Sequence, residues 1–493
     1  MGIIKRQGIQ NTIISYAGVV IGYINTVLLL PWILDEEQVG LTRLLVTMAV
    51  LYAQFSALGF ANAGVKFFPY FRDKANRHNS FLIFFLGIPI AGFLSITLLF
   101  FLFRQLIIGY YIKESTLIVN YYYYIIPLGF FTLLFNLFNA YLTSLYKTVV
   151  PSFIQDFLLR LLITVTILGY AWHFYSFEVF LLLFVVVNCS VALFLLVYIT
   201  WLKQFFIRPE LTPLKKKPLK QMVQYGFYAL LGNISGTVII SIDAMMIGHY
   251  LGLGDVGIYT TAAYIASVIL IPGRSLYKIA LPQIADFWKT ENTKALANLY
   301  KQVTRMNLVI GCLLFIGIWA NLDNMFALLP KVYSQGRYVI LFLGMARLFD
   351  LATGINGHIL ITSSKYRSDL ILNIILSVLT IFTNLIFIPV YGIAGAALAT
   401  MLSYVLINLL RLILVWYWFR MQPFNKTSVQ ILALAAFSYV MGISLPYLFN
   451  TPIDIAGRSA LITLVYGAGI LIMNLAPELT KKLQAMLLKA KSN

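Results

Sequence analysis

The sequence predicts an all-α integral membrane protein of fourteen transmembrane helices, arranged as two six-helix lobes in parallel repeat plus two C-terminal helices. Three observations predict it. Of 493 residues, 60% are hydrophobic and only 11% charged, with a mean hydropathy of +0.86. Apolar runs of about 20 residues recur along the whole chain, each long enough to cross ~30 Å of hydrocarbon. Basic residues gather in alternate connecting segments. A β-barrel would instead show short segments of alternating polarity.

The runs fall near 10–34, 39–65, 80–103, 118–145, 150–174, 178–202, 222–250, 255–281, 303–322, 337–362, 369–389, 392–419, 427–449 and 457–476. The first is too long, and too free of a small-residue cleavage pattern, for a removed signal peptide. Its flank carries Lys5 and Arg6, which places the N-terminus in the cytoplasm. The 36 Lys and Arg exceed the 17 Asp and Glu, for a net charge of +19. That surplus falls mostly on the side of the N-terminus, as the positive-inside bias requires, so nucleic acid is not an expected partner. An even number of crossings returns Lys481, Lys482, Lys489 and Lys491 to the same side.

One hydrophilic stretch divides the chain: KQFFIRPELTPLKKKPLKQM, residues 203–222, whose prolines and basic residues oppose a membrane helix. The expected domains are an N-lobe at 1–202, a basic cytoplasmic linker at 203–221, a C-lobe at 222–421, and a final helix pair with a basic tail at 422–493. The halves look related. VLLLPWILDEEQVGL (27–41) and AMMIGHYLGLGDVGI (244–258) align without a gap and share a closing Val-Gly. Each stands at the junction of the first and second helix of its half. Two parallel lobes would place a site between them. Segments 284–302 and 478–491 look amphipathic, and both are expected to lie along the cytoplasmic interface, where lysines meet anionic lipid. Cys189 and Cys312 fall inside runs and read as small packing residues.

Three further patterns carry a resemblance. LTSLYKTVVPSFIQDFLLRLL (142–162) holds a basic turn, a proline and an intramembrane arginine. IPGRSLYKIALPQIADF (271–287) closes helix 8 with a proline. IPVYGIAGAALATMLSY (388–404) runs through a Pro-x-Tyr-Gly-Ile-x-Gly-Ala-Ala turn, in which Pro389 ends helix 11 and the small residues let a neighbouring helix approach closely. With the fourteen-helix layout, these features resemble the polysaccharide-biosynthesis exporters, the O-antigen (Wzx-like) flippase branch of the multidrug/oligosaccharidyl-lipid/polysaccharide superfamily. The resemblance spans essentially the whole chain. It implies a V-shaped, two-lobe transporter that flips undecaprenyl-diphosphate-linked oligosaccharide to the outer leaflet of the bacterial inner membrane. Partners would be that lipid-linked substrate, membrane lipids and a proton or Na⁺ counter-ion.

Seven charged residues within the runs then matter: Arg43, Asp156, Arg160, Asp243, Arg347, Asp350 and Arg411. They sum to +1, which favours an anionic substrate over a cation. Each costs at least ~2.5–3.5 kcal/mol if left facing lipid at mid-depth, so each should point inward or pair. Asp156 and Arg160 are spaced i, i+4, and Arg347 and Asp350 i, i+3, so each pair shares a helix face. They are either self-neutralised pairs or arginines that exchange a carboxylate for a phosphate, which guanidinium binds bidentately. Arg411 has no carboxylate within a turn and is expected to snorkel. Arg43 and Asn25, on the first two helices, and Arg274, at the end of helix 8, complete the expected substrate-binding set. Asp243, on the first helix of the second half, is a gating or ion-coupling candidate with Asp156 and Asp350. It pairs with Arg43, titrates as a desolvated carboxylate, or hydrogen-bonds a neighbouring helix. His249 and His358 read as satisfied structural groups. The run NYYYYIIP (120–127) reads as an interfacial aromatic belt.

No catalytic residue, metal or cofactor is expected. There is no phosphate-binding Walker sequence and no nucleophile–base arrangement. The alternatives are a cation-coupled multidrug exporter of the same superfamily, a membrane-embedded polysaccharide polymerase or glycosyltransferase, and a non-transporting scaffold.

Overall fold

A computed structural model describes residues 2–72, 81–206 and 216–477, and among them every regular element is helical. The tail segment at 478–491 and the middle of the expected linker lie outside these residues. Among the described helices, eleven are long and apolar enough to cross a membrane, or twelve if one bent pair counts as a single span. Contacts divide the chain into two compact units, Met1–Thr261 and Ala262–Asn493.

In the first unit, α1 comprises Gly2–Tyr23, a π segment Ile24–Leu29 and a last turn Leu30–Ile33. The chain then breaks at Leu34, whose backbone is extended, and Asp35 caps α2 (Glu36–Ser56) by accepting from the Gln38 amide at 2.7 Å. Glu36 and Glu37 add negative charge at that helix N-terminus, where it is favoured. There follow α3 (Phe60–Phe67), α4 (Phe81–Leu102), a short α5 (Arg104–Tyr111), α6 (Thr116–Ser144), α7 (Val149–Ala171) and α8 (Phe177–Trp201). Then come α9 (Lys216–Tyr250) and the start of α10 (Leu253–Lys289). α2 is central: it packs on α4, α6 and α9. Its inner face of Leu41, Leu44, Leu45 and Ala53 is wholly buried. Cys189 is buried and free, as expected of a packing residue.

The alignment of the two halves reappears in the backbone. α1 ends at Ile33 and α2 begins at Glu36; α9 ends at Tyr250 and α10 begins at Leu253. The gapless register that sets Val27 against Ala244 also sets Glu36 against Leu253, so the two second helices start at equivalent positions. The first two turns of α2 and α10 lie against each other with nothing between them. A Cβ on Gly40 would stand 1.8 Å from the Leu253 carbonyl oxygen, and one on Gly257 would stand 2.3 Å from that of Glu36. The contact is reciprocal between equivalent positions, as at a two-fold interface. Only glycine permits it at these two sites, which explains the shared Val-Gly.

The second unit holds the rest of α10, then α11 (Thr293–Ala320), a short α12 (Leu322–Ala327), and the bent pair α13 (Lys331–Thr353) and α14 (Asn356–Thr362). It ends with α15 (Tyr366–Phe419), α16 (Lys426–Ile443) and α17 (Thr451–Ile472). The α16–α17 hairpin packs on α11 through Cys312, Ile316, Ile431, Ile462 and Tyr466. A buried ion pair secures it. Arg458 meets Asp454 at 3.0 Å, and Asp454 also accepts from Asn324 of α12 and from the Leu448 amide.

Three expectations are corrected here. The runs 369–389 and 392–419 are two helices that meet at a kink within α15, as expected, but Pro389 does not end the first of them and lies inside it. The break is instead at Gly392, with φ 60° and ψ −142°, a conformation open essentially to glycine alone. Pro282 does not close a helix either. It lies inside α10, which continues to Lys289. Nor is the amphipathic segment 284–302 separate from the spanning helices. It is the end of α10, a turn in which Glu291 is left-handed, and the start of α11, capped by Asn292.

Candidate functional site

The polar groups of the first unit gather on α1, α2, α7 and α9. Both α1 and α7 carry a π segment, Ile24–Leu29 and Phe153–Leu158. Such bulges shift side chains out of helical register and often mark functional positions. Asn25, in the first, is buried and donates to the Arg160 carbonyl at 2.8 Å, while its own oxygen accepts from Thr164 at 2.8 Å. α1 and α7 are therefore tied together just past the second bulge.

That bulge also separates Asp156 from Arg160. The spacing of four predicts a shared face, but Asp156 lies inside the π turn and faces α1, where it accepts from the Ser15 hydroxyl at 2.7 Å. No ion pair joins the two. The Arg160 guanidinium has no protein partner among the described residues, and its Nη1 is shielded from solvent. Arg43, on the second turn of α2, donates to the Thr26 hydroxyl of α1 at 2.8 Å.

Asp243 is buried near the end of α9 and accepts from the Tyr259 hydroxyl of α10 at 2.5 Å. Of the three readings of this aspartate, the bond to a neighbouring helix is therefore present. Under the alignment of the halves its strict counterpart is Thr26, one position from Asn25. In each half, then, the same position of the first helix bonds to the second turn of the next: Thr26 with Arg43, Asp243 with Tyr259. His249 stacks on Tyr110 at 3.5 Å and contacts its carbonyl, a satisfied group as expected. The tyrosine run is not a simple belt, because Tyr122 is buried.

In the second unit, Arg347 lies over the Tyr404 ring, 4.9 Å from its centroid. Asp350 accepts from Asn408 at 3.1 Å, and Asn408 in turn accepts from Thr353 and Asn356. Arg274 is exposed on α10. Arg411 does not snorkel: it pairs with Asp369 at 3.0 Å and donates to Asn373. Asp369 lies in the first turn of α15, 42 residues away along the chain, so no local spacing shows the pair. Its signal in the sequence is a lone carboxylate at the very start of a run. His358 packs against Tyr277 with the two rings tilted, centroids 5.0 Å apart. No group of three metal-binding side chains occurs among the described residues.

Residues 4–287 match the family described as "Polysaccharide biosynthesis protein". The chain is similar to the capsular polysaccharide biosynthesis protein CapF of Staphylococcus aureus, 22% identical over 37% of this chain and 45% of that one. It is likewise similar to the probable low-salt glycan biosynthesis flippase Agl15 of Haloferax volcanii, 23% identical over 39% of this chain and 42% of that one. The matched region thus spans under half the length of either relative. Among solved structures, the lipid II flippase MurJ in an inward closed conformation matches at TM-score 0.77 and 14% identity, over 94% of this chain and 98% of that one. An inward-facing multidrug resistance MATE family transporter of the MOP superfamily matches at TM-score 0.60 and 14% identity, over 83% and 94%. At these identities the likeness is one of fold.

Proposed function

The chain belongs to the polysaccharide biosynthesis protein family, and from that premise we propose that it flips a polyprenyl-diphosphate-linked oligosaccharide across the bacterial cytoplasmic membrane. The observation that carries this reading is Arg160. A guanidinium within a membrane span is expensive unless an anion or water meets it. Here the adjacent carboxylate, Asp156, is turned to Ser15, and no protein group among the described residues replaces it. A diphosphate supplies the missing partner, with oxygens matched to the guanidinium fork. Asn25 fixes the backbone beneath that arginine, and Arg43, Arg274 and Arg347 offer further positive charge along the path.

The flipping reading follows relatives named for glycan biosynthesis and a fold shared with a lipid flippase. The N-terminus and the basic C-terminal end would both lie in the cytoplasm. Outward movement of the diphosphate then runs down a membrane potential that is negative inside, gaining ~2.3 kcal/mol per charge per 100 mV. Alternating access would open and close the glycine contact of α2 and α10. The protein acts as a transporter, and its residues bind and release rather than react.

The test is glycan display in cells whose own gene is deleted. Arg160→Gln should abolish display at normal membrane abundance, and Arg160→Lys should restore part of it. Full display with glutamine at 160 would remove the diphosphate from this position.

A further inference from the structure

A cavity of about 480 Å³ lies in the first unit, beside the C-terminal ends of α4 and α9. It is walled by α2, α4, α5, α6 and α9, including Met48, Phe55, Phe100, Ile107, Met245 and Met246. The volume is in the range of sites that hold a small molecule, ~300–1,000 Å³. Its walls are mostly apolar and do not suit a sugar. Of its three tyrosines, two use their hydroxyls on protein groups: Tyr52 on Thr97 at 2.5 Å, Tyr111 on the Met245 carbonyl at 3.3 Å. Three methionines give a wall that adapts to a flexible apolar guest.

A cation stands beside this cavity. Arg104 is the first residue of α5, the helix whose Leu106, Ile107, Tyr110 and Tyr111 form part of the wall. Its guanidinium lies 5.9 Å and 5.6 Å from the ring centroids of Tyr122 and Tyr123. Tyr122 stacks on Phe100, which lines the cavity. Arg104 is exposed and has no carboxylate partner among the described residues. α5 follows directly on a spanning helix, so Arg104 stands at headgroup level.

We propose that this cavity binds an anionic glycerophospholipid, with one acyl chain among the methionines and its phosphate on Arg104. The space suits a single membrane acyl chain and is too small for a long polyprenyl carrier. The site is independent of the transport reading and uses none of its residues.

Native mass spectrometry of the purified protein, titrated with phosphatidylglycerol, phosphatidylethanolamine and a polyprenyl phosphate, tests it. The wild type should retain one phosphatidylglycerol. Arg104→Gln should lower the preference for it over phosphatidylethanolamine by about 5-fold, the effect of one arginine beside an anionic headgroup. Met245→Trp should reduce retention of both phospholipids. Because that variant can fail to fold, a phosphatidylglycerol with a photoreactive acyl terminus is also applied to the wild type. It should label peptides containing residues 48–55 and 242–246. Labelling elsewhere, unchanged retention in Met245→Trp, or displacement by polyprenyl phosphate would overturn the assignment.

Discussion

Gly40→Ala tests the reciprocal contact between α2 and α10. The new Cβ would lie 1.8 Å from the Leu253 carbonyl oxygen, little more than half the 3.4 Å at which ordinary contact begins, so the two helices must move apart. The obstacle is backbone, which cannot rotate away as a side chain can. Overpacking of this kind costs about 1–3 kcal/mol. Borne by one conformation alone, that changes its population by roughly 5- to 150-fold. The assay is disulfide formation in membranes between cysteines placed at Glu36 and Gly254. A Cβ at 254 would lie 3.1 Å from the Glu36 Cγ, so a disulfide should form readily. The native Cys189 and Cys312 are buried and should not compete. Gly40→Ala should slow the cross-link by at least about fivefold. An unchanged rate would show that the two helix starts are not held together as described.

Other expectations follow from the buried polar groups. Asp243→Asn keeps a hydrogen-bonding group for Tyr259 but removes the charge. If the charge serves coupling or gating, glycan export falls while membrane abundance holds; unchanged export would leave a structural bond only. Asp454→Ala strands Arg458 in a buried pocket and should cost about 3–5 kcal/mol, seen as a lower thermal midpoint in detergent. Arg411→Gln and Asp369→Asn should each lower that midpoint, and the double variant should lose less than the sum, because the second change removes a charge already stranded. Gly392→Ala should cost about 1–3 kcal/mol from its backbone conformation alone, whereas Pro389→Ala should be far milder on the same thermal measurement.

The fold is largely legible in the sequence because hydrophobic length is a one-dimensional property. The runs, the polar breaks between them and the repeat at 27–41 and 244–258 can all be read without knowing what packs where. The repeat even gives the residue-level register of both breaks. Reading fails where backbone geometry decides the outcome. Pro389 is the residue usually blamed for a helix end, yet the turn is made at Gly392, and Pro282, the other expected helix end, lies inside α10. The polar pairs are harder. Asp156 and Arg160 have the spacing of an α-helical pair, and a π bulge invisible in the sequence separates them. Arg411 and Asp369 are partners through tertiary packing alone. Asn25, Arg43 and Asp243 stand out by depth and by the repeat. Their hydrogen-bond partners Arg160, Thr26 and Tyr259 emerge only from the packed helices.

Movement of a lipid-linked glycan between leaflets can be followed with purified protein in liposomes that carry a polyprenyl-diphosphate oligosaccharide. An impermeant glycosidase or lectin reports the outer-leaflet fraction. Wild-type protein should give rapid access to lipid from the inner leaflet, and protein bearing Arg160→Gln should behave like protein-free vesicles. Wild-type liposomes that expose the glycan no faster than empty ones would show that this chain is not a flippase for such a lipid.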